Sequence, residues 1–249
     1  MKKSLTVAVG ILFLLFSCME REHTNPFDPE YDISSPKDLN FHKVDITTIT
    51  LNWVPNNDRE TGYRIDRKVG DLPWVESYGF IEDKDSSFTD SDAEINEDIL
   101  YRVFTCYDTK FSDPVETPLI NNDFPAPTNL NFEKMDIHTI KSTWLDEAVG
   151  EDGFKVEKKV GNGNFETLAT LGENSTTFTD EDAELNQNIS YRVYGYKGNN
   201  SSNPTETTTI DNTIPAPSNL SITQNSVDSF TLEWGDESIG EQGFKIERK

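Results

Sequence analysis

The chain has 249 residues, of which 34% are hydrophobic and 27% are charged. This composition indicates a folded polypeptide and excludes both a disordered tail and a multi-pass membrane protein. Acidic residues outnumber basic ones by 45 to 22, giving a formal net charge of -23. Such a surface repels nucleic-acid phosphates, so we expect no nucleic-acid partner.

The first 18 residues, MKKSLTVAVGILFLLFSC, have the form of an export signal. Two lysines precede an apolar run from Leu5 to Phe16, which is shorter than the about 20 residues that a membrane-spanning helix needs. Residues 15–18, Leu-Phe-Ser-Cys, resemble the lipobox of bacterial lipoproteins. The resemblance implies removal of residues 1–17 and attachment of lipid, including a fatty acid such as palmitate, to Cys18. The alternative is an ordinary secretory signal that ends at a cysteine.

Residues 18–34 are polar and rich in proline, which is typical of an extended tether. Met19 follows the cysteine, where an aspartate would favour the inner membrane in the best-known sorting rule of bacterial lipoproteins. Glu20 and Glu22 resemble the surface-export signals of some of these proteins. Together these features predict a lipid-anchored protein of the bacterial cell envelope, at the outer membrane or the cell surface.

A repeat of about 90 residues organises the rest of the chain. Trp53, Trp144 and Trp234 lie 91 and 90 residues apart, and each stands 17 residues after a proline and 9 before a glycine. A unit of this size suits an independently folding small domain. The sequence therefore predicts modules at 35–122 and 123–212, and a partial third module at 213–249.

Within each copy, apolar residues alternate with polar ones. Ile49, Leu51 and Trp53 alternate with Thr50 and Asn52. This period of two is typical of a β-strand with one face on a core and the other in water. Because turn-forming clusters separate short runs of this kind, the pattern predicts an all-β sandwich.

The repeated motifs resemble the fibronectin type III domain in its bacterial form. They are Pro-x-x-Leu, a strand-B tryptophan, Gly-aromatic-x-Ile/Val-x-Arg/Lys, Phe-Thr-Asp and Tyr-Arg-Val. The resemblance implies tandem immunoglobulin-like β-sandwiches, two complete and a third truncated after strand C. Its predicted core residues are Trp53, Tyr63, Tyr101, Trp144, Phe154, Tyr191, Trp234 and Phe244. The family's tyrosine-corner position falls on Ile99 and Ile189, so the crossover between strands E and F must be closed in another way.

The third copy supplies only strands A, B and C, from about residue 215 to residue 249. So short a segment cannot enclose Trp234, Phe244 and Ile246 without opposing strands. We therefore expect the natural polypeptide to continue beyond Lys249. The alternative is a tail that is disordered or that borrows the strands of a partner.

No pattern of catalytic residues accompanies the three histidines, His23, His42 and His138, and no phosphate-binding loop or zinc spacing occurs. We therefore predict that the chain is not an enzyme. Alternating carboxylates before strand F are the best candidates for a cation site, and calcium is the cation that they would bind. These residues are Asp90, Asp92, Glu94, Asp180, Asp182 and Glu184. The alternative is that they are solvated loop carboxylates.

Trp74 lies near a predicted edge strand, in phase with Phe165 of the next module. An exposed aromatic ring there could stack on a sugar or on a partner protein. The alternative is that the ring packs over the edge of the sheet. The Arg-Gly-Asp tripeptide of adhesive members of the family is absent from the loops between strands F and G.

Pro-Ala-Pro segments at 125–127 and 215–217 connect the modules and favour extended, semi-rigid links. The sequence therefore predicts a non-enzymatic, membrane-anchored envelope lipoprotein whose modules act as spacers or as protein- or glycan-binding units. This prediction rests on resemblance to a family, because a fold by itself does not assign function. The alternative is the stalk of a larger envelope enzyme, such as a glycan-acting hydrolase, with its catalytic domain beyond residue 249.

Overall fold

The computed structural model of the chain describes residues 33–56, 60–82 and 85–249. The predicted signal peptide, Cys18 and most of the predicted tether lie outside these ranges. Within them every regular element is a β-strand. The described ranges contain no helix that is long and apolar enough to cross a membrane.

The described residues of the first module form nine strands in two sheets. Its strands are β1 (Lys37–Asp45), β2 (Thr48–Val54), β3 (Gly62–Val69), β4 (Val75–Glu82), β5 (Ser87–Asp90), β6 (Asp98–Tyr107), β7 (Lys110–Phe111), β8 (Val115–Glu116) and β9 (Ile120–Asn121). One sheet has the order β1-β2-β5 and the other has the order β4-β3-β6-β7. Strands β8 and β9 also pair with β6, antiparallel to it.

The second module repeats this arrangement strand by strand. Its strands are β10 (Thr128–Lys134), β11 (Ile140–Leu145), β12 (Gly153–Val160), β13 (Glu166–Leu171), β14 (Thr177–Asp180), β15 (Asn188–Lys197), β16 (Asn200–Ser201), β17 (Thr205–Glu206) and β18 (Ile210–Asp211). The sheets run β10-β11-β14 and β13-β12-β15-β16, with β17 and β18 also on β15. The prediction of tandem immunoglobulin-like β-sandwiches is confirmed by this strand order.

The cores lie where the alternation predicted them. In β2 the side chains of Ile49, Leu51 and Trp53 are buried, while the residues between them are partly exposed. Trp53 packs against Tyr63 with the ring centroids 5.0 Å apart. In the second module residues from both sheets form one buried cluster: Ile140, Trp144, Phe154, Val156, Ala183, Ile189, Tyr191, Val193 and Ile210. Burial of these apolar side chains is the main force that holds the two sheets together.

The third module differs in detail from the prediction. Strands β19 (Ser218–Ser226) and β20 (Ser229–Gly235) form a two-stranded sheet, but the residues from Gly243 to Lys249 form no strand. Their counterpart β12 pairs with β13 and β15, and the described residues of the third module include no equivalent of either strand. Trp234 and Phe244 still pack with their centroids 5.3 Å apart, but Trp234 is half-buried and Phe244 is exposed.

The contacts of the chain divide it into two compact units. Among the described residues, the first unit contains 33–41, 51–56, 60–82, 85–88 and 100–118. The second contains His42–Thr50, Thr89–Ile99 and Leu119–Lys249. The second unit thus includes the turn that follows β1 and the loop that precedes β6, together with the whole second module. The module boundaries at 122 and 212 stay a prediction.

Replacing Trp144 by alanine tests the contribution of the core. Trp144 is 3% exposed, so Trp144→Ala should lower the free energy of unfolding by about 3–5 kcal/mol. Trp234→Ala is the matched control, because the equivalent indole is only half-buried and should contribute clearly less. Urea denaturation followed by circular dichroism measures both losses. Equal losses for the two variants would contradict the assignment of Trp144 to a closed core.

Candidate functional site

Cys18, the predicted lipidation site, lies outside the described residues. The remaining predicted binding sites fall on two parts of the described chain, the carboxylates before β6 and β15 and the sheet face beside Trp74. The structure adds a third part that the sequence did not predict, the ends of the modules where one follows another.

Asp180 is buried, and its carboxylate is engaged within its own module. One carboxylate oxygen accepts hydrogen bonds from the hydroxyl of Tyr191 at 2.6 Å and from the ammonium of Lys158 at 3.0 Å. The other accepts a bond from the backbone amide of Asp182 at 3.1 Å. These bonds tie β14 to β12 and β15. The Tyr191 hydroxyl thus helps to close the crossover between β14 and β15.

The Asp180 carboxylate affects the pKa values of the two side chains that donate to it, Tyr191 and Lys158. Burial and the hydrogen bond to the Asp180 carboxylate raise the pKa of Tyr191. Burial opposes the charge of Lys158, but hydrogen bonds to Glu184 and Asp180 outweigh it and raise the pKa of the ammonium. A buried carboxylate that is paired with an ammonium and a hydroxyl is a structural group, and it has few free lone pairs to offer a cation.

The first module carries a related arrangement. Asp90 is 1% exposed, and its carboxylate accepts a hydrogen bond from the backbone amide of Asp92 at 2.9 Å. In the second module Glu184 forms an ion pair with Lys158 at 3.0 Å. No group of three or more His, Cys, Asp or Glu side chains in the described part of the chain could hold a metal ion. The geometry therefore favours a structural role for these carboxylates.

Trp74 lies against the guanidinium of Arg102, whose central carbon is 4.5 Å from a ring centroid of the indole. Arg102 also donates a hydrogen bond to the buried carboxylate of Asp66 at 2.8 Å. The Asp66 carboxylate forms an ion pair with Arg64 at 3.1 Å as well. Arg64 in turn stacks over Phe104 at 4.0 Å. Trp74 is thus half-buried at the margin of a stacked layer of arginine and aromatic side chains.

The second module reproduces this stack with different residues. Arg192 lies over the ring of Phe165 at 4.3 Å and hydrogen-bonds to the buried Glu157. Lys159 lies over the same ring at 4.6 Å. The predicted correspondence of Trp74 and Phe165 therefore has a physical basis, because each ring packs against the arginine of the long strand of its sheet, Arg102 of β6 or Arg192 of β15. Such contacts stabilise by about 0.5–2 kcal/mol each.

The module ends meet through a contact that occurs twice within the second compact unit. The backbone amide of Ile46, in the turn after β1, donates to the carbonyl of Val149, in the loop before β12, at 3.1 Å. One repeat later, the amide of Ile137 donates to the carbonyl of Ile239 at 3.0 Å. The acidic loops that contain Val149 and Ile239 thus receive the turn of the preceding module.

One buried asparagine supports each of these turns. The side-chain amide of Asn122 donates to the carbonyls of Ile46 at 3.1 Å and Glu94 at 2.8 Å. In the second module Asn212 donates to the carbonyls of Ile137 and Glu184, both at 3.0 Å. The turn before β2 or β11 and the loop before β6 or β15 are therefore tied to the residue that begins the connecting segment.

Sequence reasoning did not single out Asn122, Asn212, Asp66 or Glu157. The signal for the asparagines was available, since each stands three residues before a Pro-Ala-Pro segment. Asp66 and Glu157 stand at equivalent positions of two strands, but their alternation with apolar residues predicts an exposed side chain. The overlying arginines bury them instead.

Comparison with known proteins yields structural similarities. No protein-family model matches the chain. A two fibronectin type III domain segment of chicken tenascin is similar to it, with 16% sequence identity, a TM-score of 0.40, and coverage of 72% of this chain and 99% of that chain. The FN1–FN3 domains of chicken CNTN1 give 16% identity and a TM-score of 0.34, with coverage of 81% of this chain and 75% of that chain. The fold assignment for this chain rests on the strand order of its two sheets.

Replacing Tyr191 by phenylalanine tests the structural role of Asp180. Loss of a donor to a buried carboxylate should lower the free energy of unfolding by about 1–3 kcal/mol. Tyr194→Phe is the control, because its hydroxyl donates to Glu157 at 2.9 Å from a less buried position and should cost at most about 1 kcal/mol. Urea denaturation at neutral pH measures both changes.

Millimolar calcium provides the second arm of this test. If the carboxylates are engaged within the module, the thermal midpoint of the wild-type chain should be the same with calcium and with chelator. A midpoint that rises with calcium in the wild type and not in Asp180→Asn would contradict the structural role.

Proposed function

We propose that this chain is a non-enzymatic, membrane-anchored lipoprotein of the bacterial cell envelope, whose β-sandwich modules act as spacers or as protein- or glycan-binding units. The spacer role is carried by one observation. Asp180 and Glu184, which were candidates for cation binding, are engaged with side chains of their own module.

The anchoring part of the proposal is supported by residues 15–18 and by the position of Cys18 directly after the apolar run. Each methylene of an acyl chain contributes about 0.8 kcal/mol on burial. Stable attachment to a membrane needs two or more anchoring groups, such as two acyl chains. Several chains on Cys18 would hold at the membrane a protein whose excess of acidic over basic residues otherwise repels anionic headgroups. Met19, Glu20 and Glu22 support an outer-membrane or cell-surface location in this proposal.

The binding alternative within this proposal centres on the face beside Trp74. Phe111 on the same face is 45% exposed, and the Arg64 guanidinium lies 4.5 Å from its ring centroid. Aromatic rings held flat by guanidinium groups are suited to stacking on a sugar or on a partner's side chain. We assign to this face the protein or glycan ligand that such modules would bind.

Cys18→Ser tests the lipid anchor. Expressed with its own leader in a bacterium that processes lipoproteins, the wild-type chain should incorporate an alkyne fatty acid and fractionate with membranes, because a thioether-linked lipid needs the Cys18 sulfur. Cys18→Ser should lose both properties. Cys106→Ala is the matched control, since the Cys106 side chain is fully buried and should leave labelling unchanged. Unlabelled wild-type protein in the soluble fraction would overturn the proposal.

A further inference from the structure

We propose that successive modules are joined by a specific plug and socket, so that each junction is a fixed interface and not a flexible link. The plug is the turn after the first strand of a module, residues 45–48 or 136–139. The socket is the loop before the third strand of the following module, residues 148–151 or 238–241. This inference deepens the spacer role of the proposed function, and it does not depend on lipid attachment.

The plug is held by hydrogen bonds of its own. The carboxylate of Asp45 accepts hydrogen bonds from the amide of Thr47 at 2.7 Å and from its hydroxyl at 2.9 Å. Burial opposes this charge, but the bonds from Thr47 and Thr48 lower the pKa of Asp45 below its ordinary value. In the second module the carboxylate of Asp136 accepts hydrogen bonds from the backbone amides of His138 and Thr139, each at 2.7 Å. Such turns fix the backbone locally.

The apolar tip of the plug is buried although it stands at a turn. Ile46 is 3% exposed and Ile137 is 6% exposed. Each lies beside the socket residue whose carbonyl accepts its amide, Val149 or Ile239. Burial of an isoleucine side chain contributes about as much free energy at such a site as in a core. The junction therefore combines apolar burial with a directional backbone hydrogen bond.

The socket depends on glycine. Gly150 has φ of +92° and Gly240 has φ of +93°, a conformation that residues with a Cβ rarely adopt. A Cβ added to Gly150 would lie 3.1 Å from the Cβ of Asp45. A Cβ added to Gly240 would lie 3.3 Å from the Cβ of Asp136. Both the backbone conformation and the close approach of the plug therefore select glycine at these two positions.

One plug position is exposed in the described residues, and one loop lacks the socket sequence. Val227 occupies the position of Ile46 and Ile137 in the third module and is 87% exposed. In the first module, which follows the tether, the positions of Val149 and Gly150 carry Asp58 and Arg59. These two residues lie outside the described ranges, so the comparison is one of sequence. The partner that fits a plug is thus a β-sandwich module whose loop reads Val/Ile-Gly-Glu.

Further contacts reinforce the first junction. The side-chain amide of Asn96, in the loop before β6, donates to the carbonyl of Ser201 at 3.1 Å. Its side-chain oxygen accepts the backbone amide of Phe124 at 2.8 Å. The Phe124 ring is buried over Gly195, where an added Cβ would approach it to 3.0 Å. The connecting segment therefore packs against the following module, in addition to linking the two modules covalently.

Amide hydrogen exchange on the full chain, resolved by residue with NMR, tests the proposal. In the wild type the amides of Ile46 and Ile137 should exchange at least about tenfold more slowly than that of Val227. Gly150→Ala should accelerate exchange at Ile46 by about tenfold and leave Ile137 unchanged. Gly240→Ala should have the reciprocal effect, which keeps the test available if the first variant does not fold.

Gly198→Ala is the matched control. Gly198 also has a positive φ, +56°, but an added Cβ would meet nothing within 4 Å. It should change neither amide. The proposal is overturned if Ile46 and Ile137 exchange as fast as Val227 in the wild type. It is also overturned if either junction variant accelerates both amides equally, because the effect would then be loss of general stability. Neither result depends on lipid labelling, so this proposal and the lipid anchor can fail separately.

Discussion

The side-chain amide of one buried asparagine in each module, Asn122 or Asn212, determines how the end of that module is built. Each asparagine is 1% exposed, and its side-chain amide donates hydrogen bonds to carbonyls of two separate segments. A buried carbonyl without a partner costs about 1–3 kcal/mol, and the amide removes this penalty at the carbonyl of Ile46 or Ile137. The turn after the first strand keeps its shape because this amide holds it from within.

The contacts between one module and the next depend on the shape of this turn. The turn carries Ile46 or Ile137 at its tip, and the tip enters the glycine loop of the following module. The same asparagine begins the segment that leads to Pro-Ala-Pro. The covalent link and the docked turn are therefore both attached to this residue. As in a solenoid, each repeat contacts its neighbour through a recurring interface, although here each module has its own core.

The interior of each module shows a second dependence, on buried charge. Asp180 is held by Tyr191 and Lys158, and Asp66 is held by Arg64 and Arg102. Breaking such a pair leaves an uncompensated buried charge, which is costly even where the intact pair contributes little. Loss of one partner of such a pair is therefore expected to cost more than the intact pair contributes.

Local patterns were sufficient to predict the fold, because the alternation of Ile49, Leu51 and Trp53 and the spacing of the tryptophans report burial directly. They were not sufficient for Gly243–Lys249, since a strand forms only where partner strands are present. The pattern around Asp180 showed that acids alternate, but the direction of its side chain depends on Tyr191, a residue of another strand. The contact of Ile46 with Val149 joins residues about 100 positions apart. The recurrence of Val/Ile-Gly in the loops was visible in the sequence, but its partner was not.

The most direct test of the central claim, that consecutive modules meet at a fixed interface, is a distance distribution by double electron–electron resonance. Nitroxide labels at Glu97→Cys and Glu173→Cys report across the first junction, because both side chains are exposed and stand on different modules. A Cys18→Ser background leaves only the fully buried Cys106, which does not react with the label. A docked junction predicts one narrow distribution. A broad distribution, like that of two modules on a flexible linker, would contradict the account.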